Sequence, residues 1–253
     1  MSTADRHRLI ARAVREAGTV TVGELADLTG ASDMTIRRDL DHLAAQGVLE
    51  RMRGGARALL LRGDEPPFAL RVHEAVDAKR RIAAEVVSLI ADGETVLLDS
   101  GTTCLEVARL LRGRQVTVMP LSLQALNVLS DAPRPTGLLV PGGRPRAPEG
   151  ALTGPLTLAS LAALRFDTAV LGCCGLTSAD GVTAYDLDEA AVKKAAIASA
   201  RRVIAAADGS KLGRTAHAYV GPPTLVDILV TDITAPADET TALEGGDITV
   251  KIV

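Results

Sequence analysis

Two strings in the sequence group residues that could do chemistry. In Asp99-Ser100-Gly101-Thr102-Thr103 an apolar run, Thr95–Leu98, breaks into small hydroxylated residues and then into a helical pattern, Cys104–Leu111. A strand opening through such a loop into a helix aims backbone N–H groups, hydroxyls and the positive helix end at one point, which suits an anion. The GxxxxGK[ST] spacing of triphosphate loops and the GxGxxG spacing of dinucleotide folds are both missing. The expected guest is therefore a phosphate or carboxylate on a small molecule, with no cofactor and no metal. An ordinary hydroxyl-capped helix start is the competing reading. In Ser32-Asp33-Met34-Thr35-Ile36-Arg37-Arg38 a capping residue is followed by Thr and Arg at the start of a helix. Arginine so placed can bond guanine O6 and N7 in a major groove.

Further polar residues follow other apolar runs. Gly142-Gly143 lets backbone approach a ligand, and Asp208-Gly209-Ser210-Lys211 offers a cation and a hydroxyl. Glu189 and Lys193 lie one helical turn apart, either as a surface ion pair or as ligand contacts. Ligands of open α/β sheets gather at the carboxyl ends of strands. That shared placement makes effector-site candidates of Asp99, Ser100, Gly101, Thr102, Thr103, Gly142, Gly143, Glu189, Lys193, Asp208 and Lys211.

The elements that must position these residues follow from spacing. Leu9, Ile10, Ala13, Val14 and Ala17 predict a helix over 6–17 that Gly18 stops. Thr21 with Glu24 fits a capping box for a second helix ending at Gly30. Ser32 caps a third helix, Asp33–Gln46, on which Ile36, Leu40 and Leu43 share the packed face. Thr35, Arg38 and His42 lie opposite, with Arg37 on the flank. Val48–Leu59 reads as a hairpin turning at Gly54-Gly55, a wing whose Arg51, Arg53 and Arg57 suit phosphates. Ser32, Thr35, Arg37, Arg38, His42, Arg51, Arg53 and Arg57 are thus the DNA-binding candidates. From Ala78 onward helices and strands alternate, with strands at Thr95–Leu98, Val116–Met119, Leu138–Val140, Thr168–Gly172, Arg202–Ala206, Asp227–Val230 and Ile248–Val253. This predicts a largely parallel sheet covered on both faces.

The expected organisation is a winged helix-turn-helix domain at 1–60, a linker at 61–77 containing Pro66-Pro67, and an α/β effector-sensing domain at 78–253. Composition agrees. Of 253 residues 47% are hydrophobic and 23% charged, ordinary for a globular protein. Residues 1–62 hold ten Arg, Arg62 among them, against eight acids, whereas the remainder holds 18 basic and 23 acidic residues. A basic front on an acidic body suits a nucleic-acid partner. With two Phe, two Tyr and no Trp, base stacking on aromatic platforms is nearly closed, so duplex DNA is expected rather than single strands. No apolar run approaches the roughly 20 residues that span a bilayer, and Met1–Arg15 has no signal-peptide core. The expected location is cytoplasmic, with no membrane partner. Cys104, Cys173 and Cys174 show no ligand spacing and read as small buried thiols.

Taken together, Thr35-Ile36-Arg37-Arg38-Asp39-Leu40, Arg53-Gly54-Gly55-Ala56 and the Asp99–Thr103 loop resemble the DeoR family of bacterial transcription regulators. The resemblance continues at Gly142-Gly143, Gly154, Gly172, Gly175, Glu189, Val192-Lys193 and Asp208–Lys211, covering roughly residues 5–233. It implies a sensor domain related to ribose-5-phosphate isomerase, a phosphorylated sugar or similar effector, and repression of carbohydrate-metabolism genes. The likeness departs at Met119-Pro120-Leu121-Ser122, where the family commonly has Thr-Asn-Ser. A hydroxyl and an amide are lost there, and Ser122 remains as the candidate effector contact.

The expected function is a sequence-specific transcriptional regulator, not an enzyme, gated by a small metabolite and working as a homo-oligomer with paired reading heads on a duplex operator. A sugar-phosphate isomerase with an appended DNA domain, using Glu189, Asp208 and Lys211 as acid–base groups, is the alternative. A helix-turn-helix used for protein docking is a third reading.

Overall fold

The computed structural model describes residues 1–58, 65–131 and 136–253, apart from the side chain of Glu16. Leu59, Arg62 and the first part of the expected linker lie outside the described residues. The chain separates into two compact units, Met1–Glu74 and Ala75–Val253.

The first unit runs α1 (Thr3–Ala17), β1 (Thr19–Thr21), α2 (Val22–Thr29), α3 (Asp33–Ala45), β2 (Leu49–Met52), β3 (Gly55–Ala58) and α4 (Phe68–Arg71). The first three helices start on side-chain caps. Ser2 and Thr21 form reciprocal capping boxes with Asp5 and Glu24, and Ser32 accepts from the Thr35 amide. These satisfy donors that would otherwise stay unpaired. Gly30 closes α2 in the left-handed conformation. Ile10, Val14, Leu25, Ile36, Leu40, Leu43 and Leu49 form one core, joined by Leu70 of α4.

The wing differs from expectation in two ways. Its turn is Arg53-Gly54, with Gly54 at φ 85°, while Gly55 already belongs to β3 and pairs with Met52. A third strand, β1, lies against β3, in the order β1-β3-β2. The two glycines therefore do separate jobs. Gly54 supplies a positive φ that L side chains avoid. Gly55 supplies closeness, because a Cβ there would overlap the Val20 carbonyl of β1. β1 has three residues, of which Val20 alone is buried, too short a run for periodicity to reveal it.

The second unit runs α5 (Val76–Ser88), β4 (Thr95–Leu98), α6 (Thr102–Leu111), β5 (Thr117–Pro120), α7 (Leu123–Ser130), β6 (Gly137–Leu138), β7 (Arg144–Arg146), β8 (Ala151–Thr153), α8 (Pro155–Ala163), β9 (Phe166–Gly172), β10 (Gly175–Thr177), β11 (Gly181–Ala184), α9 (Leu187–Ser199), β12 (Ala200–Ala206), β13 (Ala218–Gly221), β14 (Ile228–Thr231), α10 (Ala237–Glu244) and β15 (Thr249–Ile252). Seven strands form a sheet in the order β15-β14-β12-β9-β4-β5-β6, and its pairings are parallel. Burial on both faces follows from the strand period of two. Val96, Leu98, Val118 and Val170 enter a core with Ile82, Val86 and Val107 of α5 and α6. Leu97, Met119, Ala169 and Leu171 enter the opposite core with Leu161, Val192 and Leu243 of α8, α9 and α10.

Two antiparallel pieces go beyond the expected alternation: the sheet β10-β11-β13 and the hairpin β7-β8. Their strands are three or four residues long, too short for alternation to announce them. The helix expected from Cys104 begins two residues earlier, which brings Thr102 and Thr103 into its first turn.

The glycine pair gives the first prediction. Gly55→Ala should destabilise the wing sheet by about 1–3 kcal/mol through overpacking, and Gly54→Ala by about 1 kcal/mol through backbone strain. Hydrogen exchange of 19–21 and 49–58 in the full chain reads both. Equal protection in Gly55→Ala and wild type would contradict the close approach.

Candidate DNA interface and effector site

α3 is held by its inward face and leaves the other open. Ile36, Leu40 and Leu43 are buried. Asp39, also inward, takes a forked pair from Arg6 of α1, Nε to Oδ2 at 2.5 Å and Nη2 to Oδ1 at 3.1 Å, and a third contact from His7 at 2.9 Å. Burial alone would raise the Asp39 carboxyl; Arg6 and His7 outweigh it and hold it below the ordinary carboxylate value. Asp39 was no site candidate, yet it fixes the angle at which α3 stands.

Opposite that fork, Arg37 and Arg38 are exposed and have no ion-pair partner among the described residues. Thr35 is half-buried, and its hydroxyl lies 3.0 Å from the capping Ser32 hydroxyl. His42 sits off the outward centre: its ring lies 5.2 Å from that of His7 and its Nε2 3.0 Å from the Gln46 amide. The wing arginines divide. Arg51 donates to Asp41 of α3 and to the Gly55 carbonyl, both at 2.8 Å, and so braces wing to helix. Arg57 pairs with Glu50 at 2.7 Å. Arg53, on the turn, is exposed and unpaired among the described residues.

In the second unit, β4 leads to β5 on one side, while β9 leads on to β12 on the other. The crevice between the carboxyl ends of β4 and β9 is thus the point where strand order reverses, the usual ligand position. Three residues close it. Asp99 Oδ2 accepts the Gly172 amide at 3.0 Å and also pairs with the Lys193 ammonium. Lys193 Nζ donates in turn to the Gly172 carbonyl at 2.8 Å. Asp99 and Lys193 are almost wholly buried. Burial pulls the lysine downward, but the Asp99 charge overrides it and holds the ammonium well above the usual lysine value.

Beside this knot, Gly101 at φ 103° turns the chain into α6 with no side-chain cap. The first amides of α6 lack intrahelical acceptors, and the Thr102 and Thr103 hydroxyls have no hydrogen-bond partner among the described residues. Ser100 is half-buried at the same loop. Lys211, after β12, is half-buried without an ion-pair partner among the described residues, and its charge acts on Cys173. Burial pushes the Cys173 thiol up to about 11 and raises that of Cys104. Both thiols are therefore protonated at neutral pH.

The remaining candidates are committed elsewhere. Glu189 and Lys193 do not form the surface pair that their spacing allows: both are buried, and Glu189 binds Arg146 of β7 at 2.7 Å. Arg146 carries no local signal, since its partner lies 43 residues away. Asp208 caps a short 3-10 turn by accepting from the Ser210 amide. Ser122 caps α7 by accepting from Ala125 at 3.2 Å, and Leu121 beside it lies in the core. Gly142 is tied to α8, its amide to Ser160 at 3.2 Å and its carbonyl to Thr157 at 2.9 Å. Gly143 packs against the same Thr157. No hydrogen bond among the described residues joins Gly142 or Gly143 to the Asp99 loop.

Asp39→Ala should cost the first unit about 1.5–3 kcal/mol, the range for hydrogen bonds to charged groups. The wild-type contribution is complete above the unfolded aspartate value near ~3.9 and is lost as pH falls through the lower folded value. Acid unfolding followed by exchange at α1 and α3 checks both; an acid profile unchanged in Asp39→Ala would contradict the assignment. In the second unit, Lys193→Met should cost about 3–5 kcal/mol by stranding the Asp99 charge, with Asp99→Asn in the same chain restoring part of it. Thermal unfolding of the two variants decides, and no recovery in the double variant would refute the coupling.

Comparison with known proteins gives the same two parts. Residues 6–60 match the family profile described as DeoR-like helix-turn-helix domain, and residues 74–233 the DeoR C terminal sensor domain. The chain is 32% identical over 250 residues to the HTH-type transcriptional regulator GlpR of Haloferax volcanii, covering 99% of this chain and 98% of that one. It is 33% identical over 237 residues to the glycerol-3-phosphate regulon repressor of Escherichia coli K12, covering 93% of each. The ribose 5-phosphate isomerase A structure from Methanocaldococcus jannaschii aligns over 54% of each chain at 20% identity with a TM-score of 0.41, too distant a likeness to carry an argument. No helix among the described residues is long and apolar enough to cross a membrane. With both domain profiles in order along one chain and relatives matched over nearly their full length, the protein belongs to the DeoR family of DNA-binding transcriptional regulators.

Proposed function

We propose that this regulator represses carbohydrate-metabolism genes and releases or tightens its grip on operator DNA when a small phosphorylated metabolite enters the β4–β9 crevice. The observation that carries the effector reading is the uncapped start of α6, where free amides and the Thr102 and Thr103 hydroxyls meet at the strand-order reversal. The phosphate takes the α6 amides, and Lys211 supplies the counter-charge. The Asp99–Lys193–Gly172 knot forms the floor and reads the rest of the ligand only by shape.

The relatives named for glycerol 3-phosphate support a short phosphorylated polyol or sugar. Replacement of a hydroxyl and an amide by Pro120 and Leu121, with Leu121 in the core, favours a ligand with fewer hydroxyls to satisfy. On the DNA side, Arg37 and Arg38 read bases or grip phosphates, Arg53 holds the backbone, and Arg51 and Arg57 act mainly within the domain. A regulator rather than an isomerase is also the reading favoured by the acid–base groups, since Glu189 is neutralised by Arg146 and Asp208 is spent on its cap. Homo-oligomeric assembly and a cytoplasmic location belong to the same proposal. Coupling of about 1–3 kcal/mol between ligand and DNA is the size expected of such a switch.

The test is calorimetric titration of the full chain with glycerol 3-phosphate, ribose 5-phosphate and inorganic phosphate. At least one phosphorylated compound should bind, and Lys211→Ala should weaken it by roughly 10- to 100-fold, the loss of one charge-assisted hydrogen bond. Binding that is indifferent to Lys211→Ala and to Thr102→Val would place the effector elsewhere.

A further inference from the structure

Met34 has no role in the packing of the first unit. It sits in the first turn of α3 with 62% of its surface exposed, flanked by the exposed Asp33 and by Thr35. Ser32 caps the helix, and the Thr35 hydroxyl is bonded to the Ser32 hydroxyl. Helical spacing puts Met34 and Arg38 four residues apart on one line, opposite Ile36, Leu40 and Leu43. One turn farther along the same side, Asp41 is held by Arg51. The outward face of α3 thus presents an unbranched apolar chain at its N-terminal turn, with two unpaired guanidinium groups directly behind it.

That combination has a specific complement. In the major groove only thymine offers an apolar group, its C5-methyl, while the adjoining phosphates and guanine edges satisfy arginine. A helix whose N-terminal turn contacts base edges carries its first outward side chain deepest into the groove. We propose that Met34 is a specificity-determining residue of the DNA interface, packing on the C5-methyl of a thymine in the operator. Arg38 sets the depth of the helix beside it. Methionine suits the task because its flexible thioether chain fits a small apolar knob without demanding one geometry. The assignment rests on α3 being the groove-reading helix.

The test uses duplexes selected from a random-sequence library by the full-length protein, then re-amplified with deoxyuridine partly replacing thymidine. Uracil pairs as thymine does and lacks only the methyl. At one or two thymines of the selected site, uracil should weaken wild-type binding about fourfold. This corresponds to the ~0.8 kcal/mol of one buried methyl at about 1.4 kcal/mol per tenfold. Met34→Ala should bind the thymine and uracil forms equally at those positions, and Met34→Leu should keep most of the discrimination. Exposure of the side chain means that both variants should melt as wild type does. No uracil-sensitive thymine, or the same sensitive thymines in Met34→Ala, overturns the proposal. Arg38→Ala separates the premises. If it leaves the selected duplex bound as tightly as before, α3 is not the reader and both readings fall. If it weakens binding while uracil has no effect, only the methyl contact falls.

Discussion

The sensor domain is organised around the buried Asp99–Lys193 charge pair. Asp99 leaves β4, Lys193 stands on α9, and both close on the Gly172 peptide at the end of β9. Burying either charge alone costs several kcal/mol, so neither element can leave without the other. The pair also spends both charges inside the floor of the crevice. In the proposed site a ligand would meet neutral donors at the start of α6 and the ammonium of Lys211. The neighbouring Glu189–Arg146 pair repeats the pattern, tying the β7-β8 hairpin to the start of α9.

The reading domain follows the same logic with an aspartate turned inward. Along Thr35-Ile36-Arg37-Arg38-Asp39-Leu40, consecutive residues alternate between duties. Ile36 and Leu40 fill the core, Asp39 binds α1 through Arg6 and His7, and Arg37 and Arg38 stay free. The fork on Asp39 lies on the opposite side of α3 from the outward arginines, so the helix is anchored through its inward face.

Much of this was legible in the sequence because its signals are local. The capping box at Thr21, the N-cap at Ser32, the inward Ile36–Leu40–Leu43 face and the apolar runs of β4, β9 and β12 all follow from spacing within one or two turns. The loop at Asp99–Thr103 was legible for the same reason. What escaped depends on partners far along the chain. Arg6 meets Asp39 across 33 residues, Arg146 meets Glu189 across 43, and Lys193 meets Asp99 across 94. Glu189 and Lys193 look like a surface pair on a helical wheel, but both are buried and their short contacts go to Arg146 and Asp99 on other elements. Three-residue β1 and the β10-β11-β13 sheet lack the length for periodicity to register.

The arginine brace between wing and reading helix has one more consequence. Arg51 and Arg57 are neutralised by Asp41 and Glu50 within the domain, so a reading head brings few uncommitted cations to the duplex. Binding to DNA releases about 0.9 counterion for each phosphate neutralised. A head with so small an electrostatic footprint gains little from indiscriminate attraction. Its affinity is expected to come from the fit of base edges and to change little with salt, because few phosphate contacts give a shallow salt slope.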